Sequence, residues 1–174
     1  MMIENISYYI INKSLQLSNV NQDNNYLVDF EKLVYLLLLI EIEYIKINNT
    51  NLFSEDFIVS SRELKIGNQI GCNFDFEYNE FLKNKLFIFI NMYNNYYTTP
   101  TFKVNVEKKI ESIIDKVMIE YDCFSTNELK NILFEKFELQ DLRGYKSLTR
   151  TKWESNKILF LFSINFTNDN CQSL

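Results

Sequence analysis

Eight consecutive apolar residues, Leu33 to Ile40, sit inside the stretch Phe30–Ile45, FEKLVYLLLLIEIEYI. Spaced helically, they cover every face, so a helix that carries them is buried on nearly all sides. Asp29 stands just ahead as an N-cap. Asp29, Glu31, Lys32, Glu41 and Glu43 interrupt the run well short of the ~20 apolar residues a membrane span needs. The stretch therefore predicts a core helix over about 29–48, which other helices must wrap.

The remainder of the chain can supply them. Its 174 residues predict one domain over 1–166, with a polar tail at 167–174, and 47% apolar residues are enough for a sizeable core. The net charge of −5 argues against sequence-independent nucleic-acid binding, which calls for a basic stripe. There is no histidine, which removes Ser–His and Cys–His nucleophiles and His-ligated metal sites. With three glycines and one proline, neither a P-loop nor a dinucleotide turn is present. Cys72, Cys123 and Cys171 are odd in number and far apart, as expected of reduced thiols in the cytoplasm. Met1–Ser7 lacks the basic and apolar regions of a signal peptide. The expectation is a cytoplasmic protein that needs no cofactor or metal, makes no membrane contact and reads no nucleic-acid sequence.

Taken in order, Ile3, Ile6, Tyr9, Ile10, Leu15 and Leu17 predict a first helix over 3–18, and Asn19–Asn25 a loop. Phe57-Ile58-Val59, the alternation around Leu64 and Ile66, and Gly67 and Gly71 predict a small β-hairpin or flap over about 55–71. From Glu77 to Tyr97, Tyr78, Phe81, Leu82, Leu86, Phe89, Ile90 and Tyr93 line one helical face, until Pro100 stops it. Val106, Ile110, Ile113, Ile114, Val117 and Tyr121 form an amphipathic stripe. Ser125-Thr126-Asn127-Glu128 is a capping box that opens a helix with Leu129, Ile132, Leu133 and Phe137. Ile158–Phe166 suits a C-terminal strand or a short buried helix. The fold class is mainly α: a compact helical domain around one buried helix.

Several residue sets invite chemistry, and each has a plainer explanation. Asp56, Glu63 and Lys65 form D-x6-E-x-K, the residue types of a restriction-type nuclease that holds Mg²⁺ between two carboxylates. The plainer explanation is a charged hairpin rim. Glu41 and Glu43 point to different faces of a helix; one can be buried against a Lys or Arg, but the favoured expectation is a helix end reaching solvent. The 110–137 helix-turn-helix has Lys130, Asn131 and Lys136 offset by Glu128, Glu135 and Glu138, which favours a plain helical hairpin over a DNA reader. Tyr93, Tyr96 and Tyr97 suit a partner-binding hot spot or a half-buried helix end.

Two stretches together resemble the Panacea family of antitoxin domains. Asp29-Phe30-Glu31-Lys32-Leu33-Val34-Tyr35 resembles its K-L-Q-K-L-L-Y-like signature, with Lys32, Leu33 and Tyr35 matching residue by residue. Asn51-Leu52-Phe53 resembles its L-F step. Ile113–Leu129, with Tyr121, Ser125, Glu128 and Leu129, resembles its Y-x-x-x-S-x-x-E-L segment, and Trp153 stands for a late family tryptophan. The family's aromatic-x-Gly-Pro-Val step has Ser60-Ser61-Arg62-Glu63 in its place, and Lys152 replaces the proline of its Pro-Trp. The resemblance implies a non-catalytic protein that neutralises a toxin by covering it. The alternative expectation is a phage or mobile-element inhibitor of a host defence nuclease, of the anti-CRISPR type. Either way Asp56, Glu63, Lys65, Tyr93, Tyr96 and Tyr97 are the candidate partner-binding residues.

Overall fold

The structure, a computed structural model, describes residues 2–54, 56–60, 63–67, 89–90, 96–97, 104–136, 146–154 and 157–163. Helix dominates them: α1 (Met2–Asn21), α2 (Phe30–Asn48), α3 (Lys108–Tyr121) and α4 (Thr126–Lys136), with a 3-10 turn at Asn24–Tyr26. Strand backbone lies at β1 (Asp56–Ser60), β2 (Glu63–Gly67), β3 (Phe89–Ile90), β4 (Tyr96–Tyr97), β5 (Lys146–Glu154) and β6 (Lys157–Ser163). No helix among the described residues is long and apolar enough to cross a membrane.

α2 is the centre. Every residue from Lys32 to Ile42 is buried, as is Ile45. Asp29 caps its start, Oδ1 accepting from Lys32 N at 2.7 Å. At its end Asn49 adopts φ 55°, and its N–H donates to Ile45 O at 2.8 Å. Asparagine tolerates this left-handed conformation better than most residues.

Three helices wrap it. α1 turns inward Ile3, Ser7, Ile10, Ile11, Ser14 and Ser18, a stripe at helical spacing. Three of those six are serines, whereas Leu15 and Leu17 of the expected stripe are only partly buried. The small side chains belong on the face that packs, because they let backbones approach. α3 buries Ile110, Ile113, Ile114, Val117, Met118 and Tyr121. It runs antiparallel to α2: Lys109 reaches Asn48, Lys116 reaches Glu43, and Asp122 reaches Lys32. The capping box opens α4, Ser125 N donating to Glu128 Oε2 at 2.8 Å and Glu128 N to Ser125 Oγ at 3.4 Å. Leu129 and Leu133 are fully buried, while Phe137 lies outside the described residues.

The strands form an antiparallel sheet in the order β2-β1-β5-β6. Asp56 pairs with Gly67 and Ser60 with Glu63 across β1 and β2. Phe57 is buried in the same core as α2, which attaches the sheet to the helices.

Two expectations need correction. A continuous helix over 77–97 is not what the described part of that segment forms. Phe89–Ile90 and Tyr96–Tyr97 are extended and pair antiparallel, so aromatic and β-branched preference for strand prevails there over helical spacing. The rest of that segment lies outside the described residues. The α2 end does not simply reach solvent either: Glu41 is 1% exposed and bound to Asn51, Leu52 and Phe53. Glu43 is the outward member, paired with Lys46 and Lys116.

Leu37, midway along α2, is fully buried, and Ile47, in its last turn, is 57% exposed. In chemical denaturation Leu37→Ala should cost about 2–5 kcal/mol. Ile47→Ala should stay within about 0.5 kcal/mol.

Candidate functional site

The most concentrated polar chemistry in the described core lies where α1, α2, the 3-10 turn and the α3–α4 corner meet. Lys32 sits in the first turn of α2, on the face it shares with the buried Tyr35 and Leu36. Its side chain is 1% exposed and that of Asp122 is fully buried. Lys32 Nζ donates to Asp122 O at 2.7 Å and to Asn25 O, and stands 3.4 Å from Asp122 Oδ1. An ammonium has three donors, and three acceptors surround it. Asp122 Oδ1 also accepts from Ser14 Oγ at 3.0 Å, while Oδ2 is buried without a hydrogen-bond partner.

Burial dominates the electrostatics of the pair. It pushes the Asp122 carboxyl up to about 6 from an ordinary 3.8, against the pull of Lys32 and the Ser14 hydrogen bond. It pushes the Lys32 ammonium down, against the attraction of Asp122. The opposed charges reduce the cost of desolvation without cancelling it.

A half-exposed ring of contacts surrounds the pair. Asp29 Oδ2 accepts from Thr126 Oγ1 at 2.9 Å, which ties the cap of α2 to the first residue of α4. Glu31 accepts from Tyr35 and, at 3.3 Å, from Lys130. Two turns earlier on α3, Asp115 accepts from Lys13 and from Tyr9, whose hydroxyl is pushed up to about 12 by burial and by Asp115. Burial pushes the Glu43 carboxyl up, but hydrogen bonds from Lys116 and Lys46 outweigh it and hold the group below its ordinary range. Chemically these groups tie helices together; no cluster of three or more His, Cys, Asp or Glu among the described residues is placed to hold a metal ion.

The sequence-predicted site residues lie elsewhere. Asp56 is at the start of β1, opposite Gly67; Glu63 is at the start of β2, opposite Ser60; Lys65 is opposite Ile58. The register puts all three on one face of the ladder, with Asp56 and Glu63 at its opposite ends. Four ladder steps of about 3.4 Å separate those backbones by about 14 Å. Tyr96 and Tyr97 form β4, opposite Ile90 and Phe89. Tyr93 lies outside the described residues. Lys130 of the supposed recognition helix is engaged with Glu31.

The sequence reading missed Lys32, Asp122 and Ser14 as a group. The signal was present in Lys32, which precedes Tyr35 and Leu36 by three and four residues and so shares their buried face. No protein-family model, curated protein or solved structure matches the chain.

The pair has a definite pH signature. Because the folded carboxyl of Asp122 is raised, its contribution to stability is fully present below 3.8 and is lost as pH rises through about 6. Comparing denaturation midpoints at several pH values, Asp122→Asn should lack this fall between 3.8 and about 6, whereas the parent protein should show it.

Proposed function

We propose that the chain is a non-catalytic binding protein that neutralises a protein partner by covering its working surface, as the resemblance to Panacea antitoxin domains implies. The observation that carries the reading is that the two stretches bearing the resemblance, far apart in sequence, meet in space. Asp29 holds Thr126 and Lys32 holds Asp122. Tyr121, Leu129 and Tyr35 are buried in one core.

In this reading the 55–71 flap, whose β1 pairs with β5, and the Tyr93, Tyr96 and Tyr97 segment form the contact surface. Asp56, Glu63 and Lys65 share one face of the flap, and Phe57 anchors its other face in the core. A net charge of −5 suits a basic partner that itself acts on nucleic acid, because complementary charge speeds encounter and excludes wrong partners. The protein works in the cytoplasm without a cofactor.

The test is affinity capture on the full-length chain from lysates of its native host, with and without phage infection, followed by mass identification. A small basic toxin recovered in stoichiometric amount is the expected result. Recovery of a large RNA-guided nuclease instead would replace the antitoxin reading with the defence-inhibitor reading. Mg²⁺-dependent cleavage of nucleic acid by the purified chain, with no protein captured, would overturn both.

A further inference from the structure

One carboxylate holds, from the inside, the loop that leads from the helical core to the sheet. After α2 ends, the left-handed Asn49 turns the chain back along the helix, and Leu52 and Phe53 return level with Glu41. Glu41 Oε1 accepts from Asn51 Nδ2 at 2.8 Å; Oε2 accepts from Leu52 N at 2.9 Å and Phe53 N at 3.2 Å. Leu52 and Phe53 are each 5% exposed, so their amides have no water to turn to. Two successive N–H groups on one charged oxygen are a strong, directional arrangement. From Phe53 the path continues outward: its ring lies 6.1 Å from that of Phe57, which is buried in β1. β1 in turn carries β2 and β5.

The helices are joined to one another by contacts that do not involve this loop. Ser14, Lys32 and Asp122 join α1, α2 and the α3–α4 corner, and Glu43 and Lys116 join α2 to α3. We propose that Glu41 is a latch: its carboxylate docks residues 49–54 on α2, and without its acceptors that segment opens while α1–α4 stay folded. Buried backbone amides left without an acceptor favour an open state in which water satisfies them. The inference stands apart from the binding reading, because it concerns a motion of the free chain and its test involves no partner.

Amide hydrogen exchange on the full chain tests it with two substitutions. Glu41→Leu keeps the bulk and removes both acceptors. Glu41→Gln keeps one acceptor oxygen for Leu52 and Phe53 and turns its amide to the exposed Asn51 side chain, which can rotate to accept. In Glu41→Leu the amides of Leu52 and Phe53 should exchange about tenfold faster or more. Those of Ile113, Ile114 and Val117 should stay within about twofold of the parent rate, as expected of a separate opening unit. Glu41→Gln should remain close to the parent throughout. Unchanged exchange at Leu52 and Phe53 in Glu41→Leu, equal acceleration of every amide, or Glu41→Gln behaving like Glu41→Leu would overturn the latch. So would a Glu41→Leu chain that fails to fold, since the helical core would then depend on it.

Discussion

Lys32 carries its charge in a place no water reaches, and the helical architecture is arranged to make that tolerable. The ammonium needs three acceptors and a counter-charge. These come from Asn25 on the 3-10 turn and from both the backbone and the side chain of Asp122 at the α3–α4 corner. Asp122 then draws Ser14 of α1 to its other contact. One lysine thus specifies how α1, the turn, α2 and the corner sit relative to one another. Apolar packing around Leu33–Ile40 supplies the driving force, but it is non-directional, and a helix that is greasy on all sides can rotate among similar packings. The ion pair adds direction at a cost in desolvation, which the raised carboxyl and lowered ammonium of the pair record.

The same division between drive and direction recurs at the far end of α2. There Glu41 fixes the outgoing loop, with backbone amides in place of a lysine. Glu43, two residues on, faces outward to Lys46 and Lys116. The helix is therefore pinned by one buried charge near each terminus, the first holding the other helices and the second holding the segment that leads to the sheet. That segment leads into β1 and β2, which carry Asp56, Glu63 and Lys65, so the placement of this part of the proposed contact surface follows from the helical core.

Much of the helical part is legible in the sequence because local signals agree with burial there. Asp29 and Asn49 bracket α2, Ser125 and Glu128 open α4, and the α3 stripe faces inward throughout. The buried charges are less legible, for a physical reason. Lys32 and Glu41 are the letters that ordinarily mark a helix reaching water, and what reverses that meaning is a partner 90 residues away for Lys32 and a loop that folds back for Glu41. α1 misleads in the opposite sense: Ser7, Ser14 and Ser18 occupy the packed face while Leu15 and Leu17 lie at its margin. Around 89–97, helical spacing of large apolar residues coexists with their preference for strand, and pairing between Phe89 and Tyr97 decides it. The candidate contact residues are legible only as residue types; their positions come from the β1–β2 register.

The account stands most directly on the coupling between Lys32 and Asp122. A double-mutant cycle with Lys32→Met and Asp122→Leu, read by chemical denaturation, measures it. Each single substitution strands a buried charge and should cost about 3–5 kcal/mol, while the double substitution, which strands none, should cost less than either. Strictly additive costs would contradict the account, since the two side chains would then be buried near each other without depending on each other.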